Sequence, residues 1–354
     1  MDADLLVVGG GPVGLVAALH AARRGLSVVV AEPRATPVDK ACGEGIMPAG
    51  VAELAGLGLA PVGQPLRGIR YVDARGRCAA APLGPRPGLG VRRTVLHRAL
   101  AEAVAEVVAE ADGRAGGIRL EQATVTALDQ GPGHVRAWLG RTPLTVGHVI
   151  AADGLHSPVR RMLGLDRPVR GERRYGLRRH VRVAPWTDHV EVHWAAGCEA
   201  YVTPVAPDEV GVAVLTRRRA PLEEQLAEIP WLVERLVEAE PVDDVRGAGP
   251  LRQRSTRRVA GRVLLVGDAA GYVDALTGEG LTVGWQQARA AVTAVAEGRP
   301  QEYERAWRRI GLAARLLTHG LVAATRHDVV RDHLVDVAGR APLVYRGAVR
   351  VVAG

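Results

Sequence analysis

The chain opens with two short apolar runs separated by a helical pattern. Residues 4–9 form a short, largely apolar run that predicts a buried strand, and residues 12–24 carry apolar side chains at helical spacing. A second apolar run over residues 26–31 predicts another strand. A strand, a glycine turn, a helix and a strand within about thirty residues make a βαβ unit, which requires a parallel sheet covered on both faces. The pattern therefore predicts an α/β fold.

Further parallel-sheet signals flank a β-rich stretch. Helices are predicted over residues 94–110 and 281–297, and buried strands over residues 146–152 and 262–267. The strand-like segments are residues 119–128, 134–151, 172–183, 189–194, 199–205 and 210–216. The last four predict an antiparallel meander with turns at residues 195–197 and 206–208, and residues 221–239 and 302–339 have helical patterns.

This order of elements predicts two interleaved domains and a helical C-terminal region. The first domain is a Rossmann-like α/β unit of residues 1–65, 91–168 and 257–300. The second is an inserted antiparallel β-sheet domain of residues 66–90 and 169–256, and the helical region covers residues 301–354. We expect its helices to pack over a substrate entrance, with a membrane-grazing or dimer surface as the alternative.

Composition narrows the class of protein. With 47% hydrophobic and 24% charged residues in 354, the chain resembles an ordinary globular protein. The pattern of a secretory signal is not visible in the first residues, and arginines or histidines interrupt every apolar run near the ~20 residues of a membrane span. We therefore expect a cytoplasmic protein without membrane contact. Cys42, Cys78 and Cys198 lie far apart, so neither a metal site nor a disulfide framework is predicted.

The net charge of +8 is carried almost entirely by arginine, because Lys40 is the one lysine of the chain. Nine arginines lie within residues 155–182 and five within residues 251–262. Neither segment has the interleaved aromatic residues of a single-strand binding surface or a helix-turn-helix pattern, so we predict no nucleic-acid partner. Their positive potential suits a pyrophosphate cofactor and an anionic nicotinamide donor, or simply a solvated face.

A G-x-G-x-x-G pattern joins the first predicted strand to the first helix. Its glycines permit the tight turn, the approach of a pyrophosphate and close helix packing, while the helix N-terminus offers free N–H groups. A carboxylate at the end of the second strand, Glu32, can accept the ribose hydroxyl groups of an adenosine. The pattern favours FAD or NAD over NADP. The predicted cofactor contacts are Gly9, Gly11, Pro12, Val13, Gly14, Glu32 and Arg34.

Two further motifs each follow a predicted strand. Residues 150–160 read I-A-A-D-G-L-H-S-P-V-R, and residues 266–271 read V-G-D-A-A-G. These motifs resemble the DG and GD fingerprints of the FAD-dependent aromatic hydroxylases typified by para-hydroxybenzoate hydroxylase, and of the related geranylgeranyl reductases. The resemblance runs through most of the chain and implies that the cofactor is FAD.

The resemblance also implies roles for individual residues. Asp268 is expected to accept a hydrogen bond from the flavin ribityl chain, Arg93 to lie against FAD, and Asp153 to help position NADH or NADPH. Residues 278–281 are expected to offer N–H groups to the pyrophosphate and the isoalloxazine. The cofactor contacts implied in this way are Arg93, Asp153, Gly154, Gly267, Asp268, Gly278, Glu279, Gly280 and Leu281.

Residues 40–45 read K-A-C-G-E-G and resemble the K-x-C-G-x-G loop of the reductase branch. Two glycines let the backbone approach the flavin ring, and a thiol there can pack or transfer a proton. Cys42 and Gly43 are therefore predicted cofactor contacts, and Cys42, Glu44 and His180 are the candidate catalytic residues. The alternative is a glycine-rich loop with a buried, inert cysteine.

Candidate substrate contacts lie on the predicted inserted sheet. Alternation along the first strand assigns Arg178 and His180 to one face and Arg179 to the other, so only one set can face the flavin. An exposed sheet face is the alternative for these residues. The predicted substrate contacts are Arg178, His193, Tyr201 and Pro204.

The sequence departs from both family patterns. Ala275 and Thr282 stand where the hydroxylases usually have a proline and an asparagine. Residues 201–204 read Y-V-T-P, whereas the reductase branch carries an aromatic Y-x-W-x-F-P segment along its isoprenoid tunnel. The loss of two large aromatic residues there weakens the isoprenoid interpretation.

The sequence therefore predicts an FAD-dependent enzyme. Our first expectation is a single-component monooxygenase that uses NADH or NADPH and O2 to hydroxylate an aromatic or polyketide-like molecule. The alternative is a flavin-dependent reductase of an isoprenoid or other alkene, and a flavoprotein that binds a ligand without turnover is a third. In each enzyme the cofactor carries out the difficult step while the protein binds and orients.

Overall fold

A computed structural model describes residues 1–110, 117–169 and 173–354. The strands of this part of the chain are β1 (Ala3–Val8), β2 (Val28–Ala31), β3 (Gly45–Ile46), β4 (Gln64–Leu66), β5 (Gly68–Val72), β6 (Cys78–Pro82), β7 (Gly88–Gly90), β8 (Ile118–Glu121), β9 (Val125–Gly131), β10 (His134–Leu139), β11 (Thr142–Ala151), β12 (Tyr175–Arg182), β13 (His189–Trp194), β14 (Cys198–Ala206), β15 (Glu209–Thr216), β16 (Glu240–Pro241), β17 (Arg246–Ala248), β18 (Val259–Ala260) and β19 (Val263–Leu265).

The α-helices of the same residues are α1 (Pro12–Ala22), α2 (Pro48–Gly56), α3 (Arg93–Glu110), α4 (Pro158–Met162), α5 (Leu222–Leu226), α6 (Pro230–Leu236), α7 (Gly280–Ala296), α8 (Tyr303–Arg309), α9 (Leu312–Ala324), α10 (Asp328–Asp332), α11 (Leu334–Arg340) and α12 (Pro342–Ala353). None of the helices described is both long and apolar enough to cross a membrane.

The first sheet contains the predicted βαβ unit. Its order is β18-β19-β11-β1-β2-β8, and the strands from β19 to β8 run parallel. All residues of β2 and β19 are buried, as parallel strands covered on both faces should be. Helix α1 packs against both α3 and α7. The predicted α/β fold with a Rossmann-like domain is therefore confirmed.

The second sheet is antiparallel except where β5 pairs with β13. Its order is β16-β12-β15-β14-β13-β5-β6, and β17 pairs with β12. The predicted meander is confirmed for β13, β14 and β15. It is wrong for β12, which pairs with β15 and not with β13. The edge of β13 that was predicted for β12 is occupied by β5, which comes from a region without a predicted strand.

Other differences are breaks within predicted elements. Residues 119–128 and 134–151 each contribute to two strands, and β10 and β11 are separated by a turn in which Gly140 has φ +61°. Residues 221–239 divide into α5 and α6, since Pro230 begins a new helix. The helical C-terminal region divides into α8 to α12. Residue 172, the predicted start of β12, lies outside the described residues.

Candidate active site

A cavity of about 510 Å³ lies between the first sheet and the inner face of the second sheet. Loops that follow β1, β2, β11 and β19 contribute to its wall. Ligands of open parallel sheets bind at these carboxyl ends of the strands. The wall includes sixteen predicted site residues, namely Gly11, Pro12, Val13, Arg34, Cys42, Gly43, Glu44, Arg93, Asp153, Gly154, Tyr201, Gly267, Asp268, Gly278, Gly280 and Leu281.

In the turn after β1, the backbone geometry requires glycine at two positions, and a third glycine leaves space towards the cavity. Gly9 has φ +100°, and a Cβ on Gly14 would lie 1.8 Å from the Gly9 carbonyl oxygen, so both positions require glycine. At Gly11, the nearest atom to such a Cβ is Nη2 of Arg93, 4.0 Å away. Two residues that were not predicted from the sequence stabilise the turn by hydrogen bonds. Nε2 of His97 lies 2.8 Å from the Gly10 carbonyl, and Nε1 of Trp285 donates to the Pro12 carbonyl at 3.2 Å.

Glu32 supports the turn from the end of β2. Its Oε2 accepts a hydrogen bond from the Gly10 N–H at 2.9 Å, and its Oε1 lies 2.7 Å from Nε of Arg34. Burial alone would raise the pKa of Glu32, but the Arg34 contacts outweigh it and hold the pKa below its ordinary value. Glu32 is thus an ionised carboxylate behind the cavity wall, to which Arg34 itself contributes.

The loop after β11 caps helix α4. Oδ2 of Asp153 accepts a hydrogen bond from the Val159 N–H at 2.9 Å, and Oγ of Ser157 accepts one from the Arg160 N–H at 2.9 Å. Burial raises the pKa of Asp153, although the hydrogen bonds to Ser157 and Val159 act in the opposite direction. Its other oxygen, Oδ1, is buried and has no hydrogen-bond partner in the part of the chain that the structure describes. Gly154, at φ +81°, leaves open space beside this carboxyl group.

Arg160 is a buried residue that joins the two fingerprint loops, and sequence reasoning missed it. Its guanidinium donates to the carbonyl groups of Leu155 and Ala269, both at 3.0 Å, and pairs with Asp166. Arg160 is the last residue of the motif at residues 150–160, and this position was the sequence signal that could have identified it. On the second loop, Nζ of Lys40 lies 3.1 Å from the Asp268 carboxylate. The loops are therefore fixed to each other and to the loop after β2.

The turn before α7 contributes backbone to the cavity. Gly278 has φ +70°, and its nearest neighbour for a Cβ is the Met47 side chain at 3.8 Å. Glu279 does not line the cavity; burial raises its pKa to about 8, although a hydrogen bond to Thr277 opposes this. The Gly267 N–H is held from α7 by Oε1 of Gln287 at 2.8 Å.

The residues of this half of the cavity fit FAD. A Cβ would meet nothing within 4 Å at Gly43 and Gly154 and only a side-chain end at 3.8–4.0 Å at Gly11 and Gly278, so a planar ring and a pyrophosphate can approach backbone N–H groups. Arg93 lines the cavity and is half-buried, and among the described residues its Nε has no hydrogen-bond partner. A guanidinium in this position can bind an anionic cofactor.

The Cys42–Gly45 loop lies on the cavity wall. Glu44 has φ +58°, which is unusual for a residue other than glycine. This conformation is held by several contacts. Oε1 of Glu44 accepts the Arg93 N–H at 2.7 Å, and the Glu44 N–H points to Sγ of Cys42 at 3.4 Å. Oγ1 of Thr203, from β14, donates to the Gly43 carbonyl at 2.8 Å. The second sheet therefore positions the loop that carries the thiol.

A chain of hydrogen bonds runs from Glu44 to the surface. Oε2 of Glu44 lies 2.5 Å from Nε2 of His180, and Nδ1 of His180 lies 2.7 Å from Oδ2 of Asp243. Arg178 pairs with Asp243 at 2.6 Å and with Asp39. Glu44, His180 and Arg178 are almost fully buried, whereas the Asp243 side chain is 22% exposed. The chain thus connects the cavity wall to solvent.

The pKa values of His180 and Asp243 shift in opposite directions. Burial alone would lower the pKa of His180, but its contacts with Glu44 and Asp243 outweigh burial and raise it. Burial alone would raise the pKa of Asp243, but hydrogen bonds from His180 and the charges of His180 and Arg178 lower it. Both shifts favour a positively charged His180 beside the Asp243 carboxylate.

Of the four predicted substrate contacts, only Tyr201 lies on the cavity wall. Tyr201 lines the cavity, and its hydroxyl donates to the Leu276 carbonyl at 3.1 Å. Arg178 lies on the same side of the sheet but outside the cavity wall, in the hydrogen-bonded chain to Asp243. Pro204 is not on the wall either; its carbonyl oxygen would be 1.8 Å from a Cβ on Gly90.

His193 points away from the cavity. Alternation along β13 directs Val190 and Val192 towards the cavity, so Glu191 and His193 face the other side. There, Nε2 of His193 lies 3.1 Å from Oε2 of Glu191. The sequence pattern defines the alternation, but only the packing of the sheet determines which set faces the cavity.

The remaining half of the cavity is lined by apolar side chains. They come from the second sheet, from the turn before α7 and from helices α9 and α12, and Tyr71, Tyr201 and Tyr272 are the aromatic residues of the wall. The aliphatic residues include Ile69, Val190, Val192, Leu276, Leu317, Leu321, Val349 and Val352.

A Rossmann-like sheet whose strand ends and glycine loops surround a cavity that fits FAD defines an FAD-binding flavoprotein. The chain belongs to the FAD binding domain family, whose pattern matches residues 2–299, and it is an FAD-dependent oxidoreductase. The expected membership in the superfamily of flavin monooxygenases and geranylgeranyl reductases is confirmed.

Similar proteins come from bacteria and archaea. A menaquinone reductase of Mycolicibacterium smegmatis is 30% identical over 336 residues, which cover 86% of this chain and 79% of that protein. Digeranylgeranylglycerophospholipid reductase 1 of Methanothermobacter thermautotrophicus is 29% identical, with 86% and 82% covered. The crystal structure of a flavoprotein/dehydrogenase from Cytophaga hutchinsonii has a TM-score of 0.83 at 19% identity, covers 99% of this chain and 92% of its own, and shares the fold.

Proposed function

We propose that the protein is an FAD-dependent reductase that saturates a carbon–carbon double bond of an isoprenoid lipid. The observation that carries the proposal is the aliphatic half of the cavity, with walls from the second sheet, α9 and α12. An isoprenoid chain offers no polar groups, so aliphatic walls that exclude water match it.

The same cavity gives little support to the hydroxylation of a phenol. Of the two histidines predicted as catalytic or substrate contacts, neither His180 nor His193 lies on the wall, although His156 does. Burial raises the pKa of Tyr201 and Tyr272 well above the ordinary value, so these phenols stay neutral. Our preference therefore passes from hydroxylation, the first expectation from sequence, to alkene reduction.

The proposed reaction adds two hydrogen atoms to the double bond, one as hydride and one as a proton. Bound FAD, reduced by NADH or NADPH, supplies the hydride. The protein has to supply the proton to the second carbon atom. Cys42 is the candidate donor because it lines the cavity, and the Glu44–His180–Asp243 chain offers a route for protons from solvent as far as Glu44, two residues further along the same loop.

We assign the cofactor to the loops described above. Backbone N–H groups at Gly11 and residues 278–281 and the Arg93 guanidinium would hold the pyrophosphate, and Glu32 and Arg34 would lie at the adenosine end. The names of the similar proteins support the proposed substrate class, since a menaquinone and a digeranylgeranylglycerophospholipid both carry long isoprenoid chains.

The proposal is tested by product analysis. The holoenzyme is incubated with NADH or NADPH under ¹⁸O2, in parallel with a detergent-dispersed isoprenoid lipid and with a set of phenols. We expect a lipid product that has gained two hydrogen atoms and no ¹⁸O. A phenol product that contains ¹⁸O, without any saturated lipid, would establish the monooxygenase instead.

A further inference from the structure

Helices α9 and α12 are apolar on two opposite sides. Their inner residues Leu317, Leu321, Val349 and Val352 line the cavity, and the two helices pack against each other. Their outer residues are also large and apolar. Leu312 is 50% exposed, Leu316 64%, Leu343 80% and Val344 73%. A helix that only covers a cavity has a polar outer face, so this arrangement requires another explanation.

The exposed apolar residues are concentrated in this region. Among the described residues, fifteen large hydrophobic side chains are exposed, and eight of them lie between Leu312 and Val351. Scattered exposed hydrophobic residues are normal, but a cluster on the outer wall of a cavity marks an interaction surface.

The charges beside these residues are positive. In α12, Leu343, Arg346 and Arg350 repeat at helical spacing, opposite the buried Tyr345 and Val349. The helix contains no acidic residue, and neither arginine has a carboxylate of the described residues within ion-pair distance. We call Leu312, Leu316, Leu343, Val344, Arg346 and Arg350 the docking face.

We propose that the docking face binds the surface of an anionic lipid bilayer, so that a membrane-dissolved substrate enters the cavity beside α9 and α12. The substrate part of this inference rests on the proposed function. Apolar side chains flanked by arginines are the pattern of a helix that lies in a membrane interface, with the apolar part below the headgroups and the cations among them.

Charge favours a bilayer over a second copy of the chain. In a two-fold symmetric dimer the docking face would meet itself, so that Arg346 and Arg350 would approach the same residues without an acidic partner on the face. An anionic lipid surface instead offers each arginine a phosphate. The expectation from sequence that there is no membrane contact is revised accordingly.

The test is sedimentation of the holoenzyme with vesicles of phosphatidylcholine alone or with one quarter phosphatidylglycerol. We expect binding to the anionic vesicles only. The binding should weaken when NaCl rises from about 0.1 M to about 1 M, because the screening length falls from about 10 Å to about 3 Å. The double variant Leu343→Ser/Val344→Ser should lose at least about tenfold in partition coefficient. Arg346→Gln/Arg350→Gln should lose the preference for phosphatidylglycerol.

The matched control is Val233→Ser/Val237→Ser, which removes two exposed valines at α6, 41% and 78% exposed. It should bind vesicles like the wild type. Thermal melting establishes that each variant is folded. Absence of vesicle binding by the wild type, or equal binding by the docking-face variants, overturns the proposal. A concentration-dependent dimer that these variants abolish, with no vesicle binding, overturns it in favour of a second copy.

Membrane docking and alkene reduction can be tested independently of each other. Vesicle binding requires no turnover, and reduction of a detergent-dispersed lipid requires no bilayer. If the docking inference is correct, Leu343→Ser/Val344→Ser reduces detergent-dispersed lipid at the wild-type rate but loses activity on lipid in anionic vesicles. Equal losses on both forms of the substrate contradict it.

Discussion

Oε2 of Glu44 lies 2.5 Å from Nε2 of His180, and this contact joins the cavity loop to the second sheet. Both side chains are almost fully buried. Because Glu44 also has φ +58° and accepts the Arg93 N–H, the contact helps to hold an unusual backbone conformation next to Cys42. The loop that carries the candidate thiol is thus fixed by a residue 136 positions away.

Replacement of His180 by Asn should change how stability depends on pH. The groups that face His180 are Glu44, Asp243 and Arg178. Its folded pKa lies above the unfolded value of 6.5, so its stabilising contribution is complete below pH 6.5 and is lost as pH rises through the folded pKa. We expect His180→Asn to lower the free energy of unfolding by roughly 1–3 kcal/mol at pH 6 and by less at pH 9.

Urea unfolding at the two pH values measures this difference. His134→Asn, at the first residue of β10, is the control and should follow the wild type at both pH values. A loss for His180→Asn that is the same at pH 6 and pH 9 would show that its protonation does not stabilise the fold.

Cys42 and Cys78 provide a matched pair for the candidate proton donor. Cys42 lines the cavity, whereas Cys78 is exposed on β6. We expect Cys42→Ser to retain FAD but to lose at least about tenfold in turnover, since general acid catalysis typically contributes 10²–10⁴-fold. Cys78→Ser should turn over at the wild-type rate. Steady-state NAD(P)H oxidation and flavin absorbance measure both properties, and full activity of Cys42→Ser would leave this thiol without a catalytic role.

Gly11 and Gly14 should respond differently to substitution by alanine. A Cβ on Gly14 would lie 1.8 Å from the Gly9 carbonyl oxygen, so Gly14→Ala should cost at least about 1–3 kcal/mol of unfolding free energy. Gly11 has open space, so Gly11→Ala should change apoprotein stability by less than about 1 kcal/mol while blocking the approach of the pyrophosphate. Denaturation and FAD titration check the two effects. Wild-type FAD affinity in Gly11→Ala would contradict the assigned cofactor position.

Arg93→Met tests whether the Arg93 guanidinium contributes to FAD binding. The Arg93 N–H donates to Glu44 from the backbone, so this contact survives the substitution. Loss of a charge-assisted hydrogen bond should weaken FAD binding by about 1.5–3 kcal/mol, roughly 10–150-fold. Arg98→Met, on the exposed face of the same helix, is the control. FAD fluorescence titration of the apoproteins measures the affinities, and identical values for both variants would exclude Arg93 from the cofactor site.

Glu279→Gln should stabilise the apoprotein at neutral pH. Burial raises the pKa of this carboxyl from 4.5 to about 8, so the free energy of unfolding falls as pH rises from 4.5 towards 8. Gln imitates the protonated carboxyl and should add roughly 1–3 kcal/mol at pH 7.5, with a smaller difference near pH 5. Glu106→Gln, exposed on α3, should stay within about 0.5 kcal/mol of the wild type. Destabilisation by Glu279→Gln at pH 7.5 would mean that the carboxylate is ionised in the fold.

The sequence was sufficient for the features that depend on local patterns. The βαβ unit, the glycine turn and the loops after β11 and β19 could be predicted because apolar runs and glycines mark them directly. Contacts between distant segments could not be predicted. Asp243 beneath His180, Thr203 on the Gly43 carbonyl and Arg160 between two loops all depend on how strands pair and sheets pack. The pairing of β5 with β13 has no local signal either.

A single anaerobic turnover separates alkene reduction from oxygen-dependent hydroxylation. The holoenzyme is reduced with one equivalent of dithionite in the absence of O2 and mixed with a detergent-dispersed isoprenoid lipid. We expect the flavin absorbance to return as the lipid gains two hydrogen atoms, in equal amounts, and Cys42→Ser to slow both. Flavin that stays reduced with every isoprenoid lipid until O2 is admitted would rule out alkene reduction.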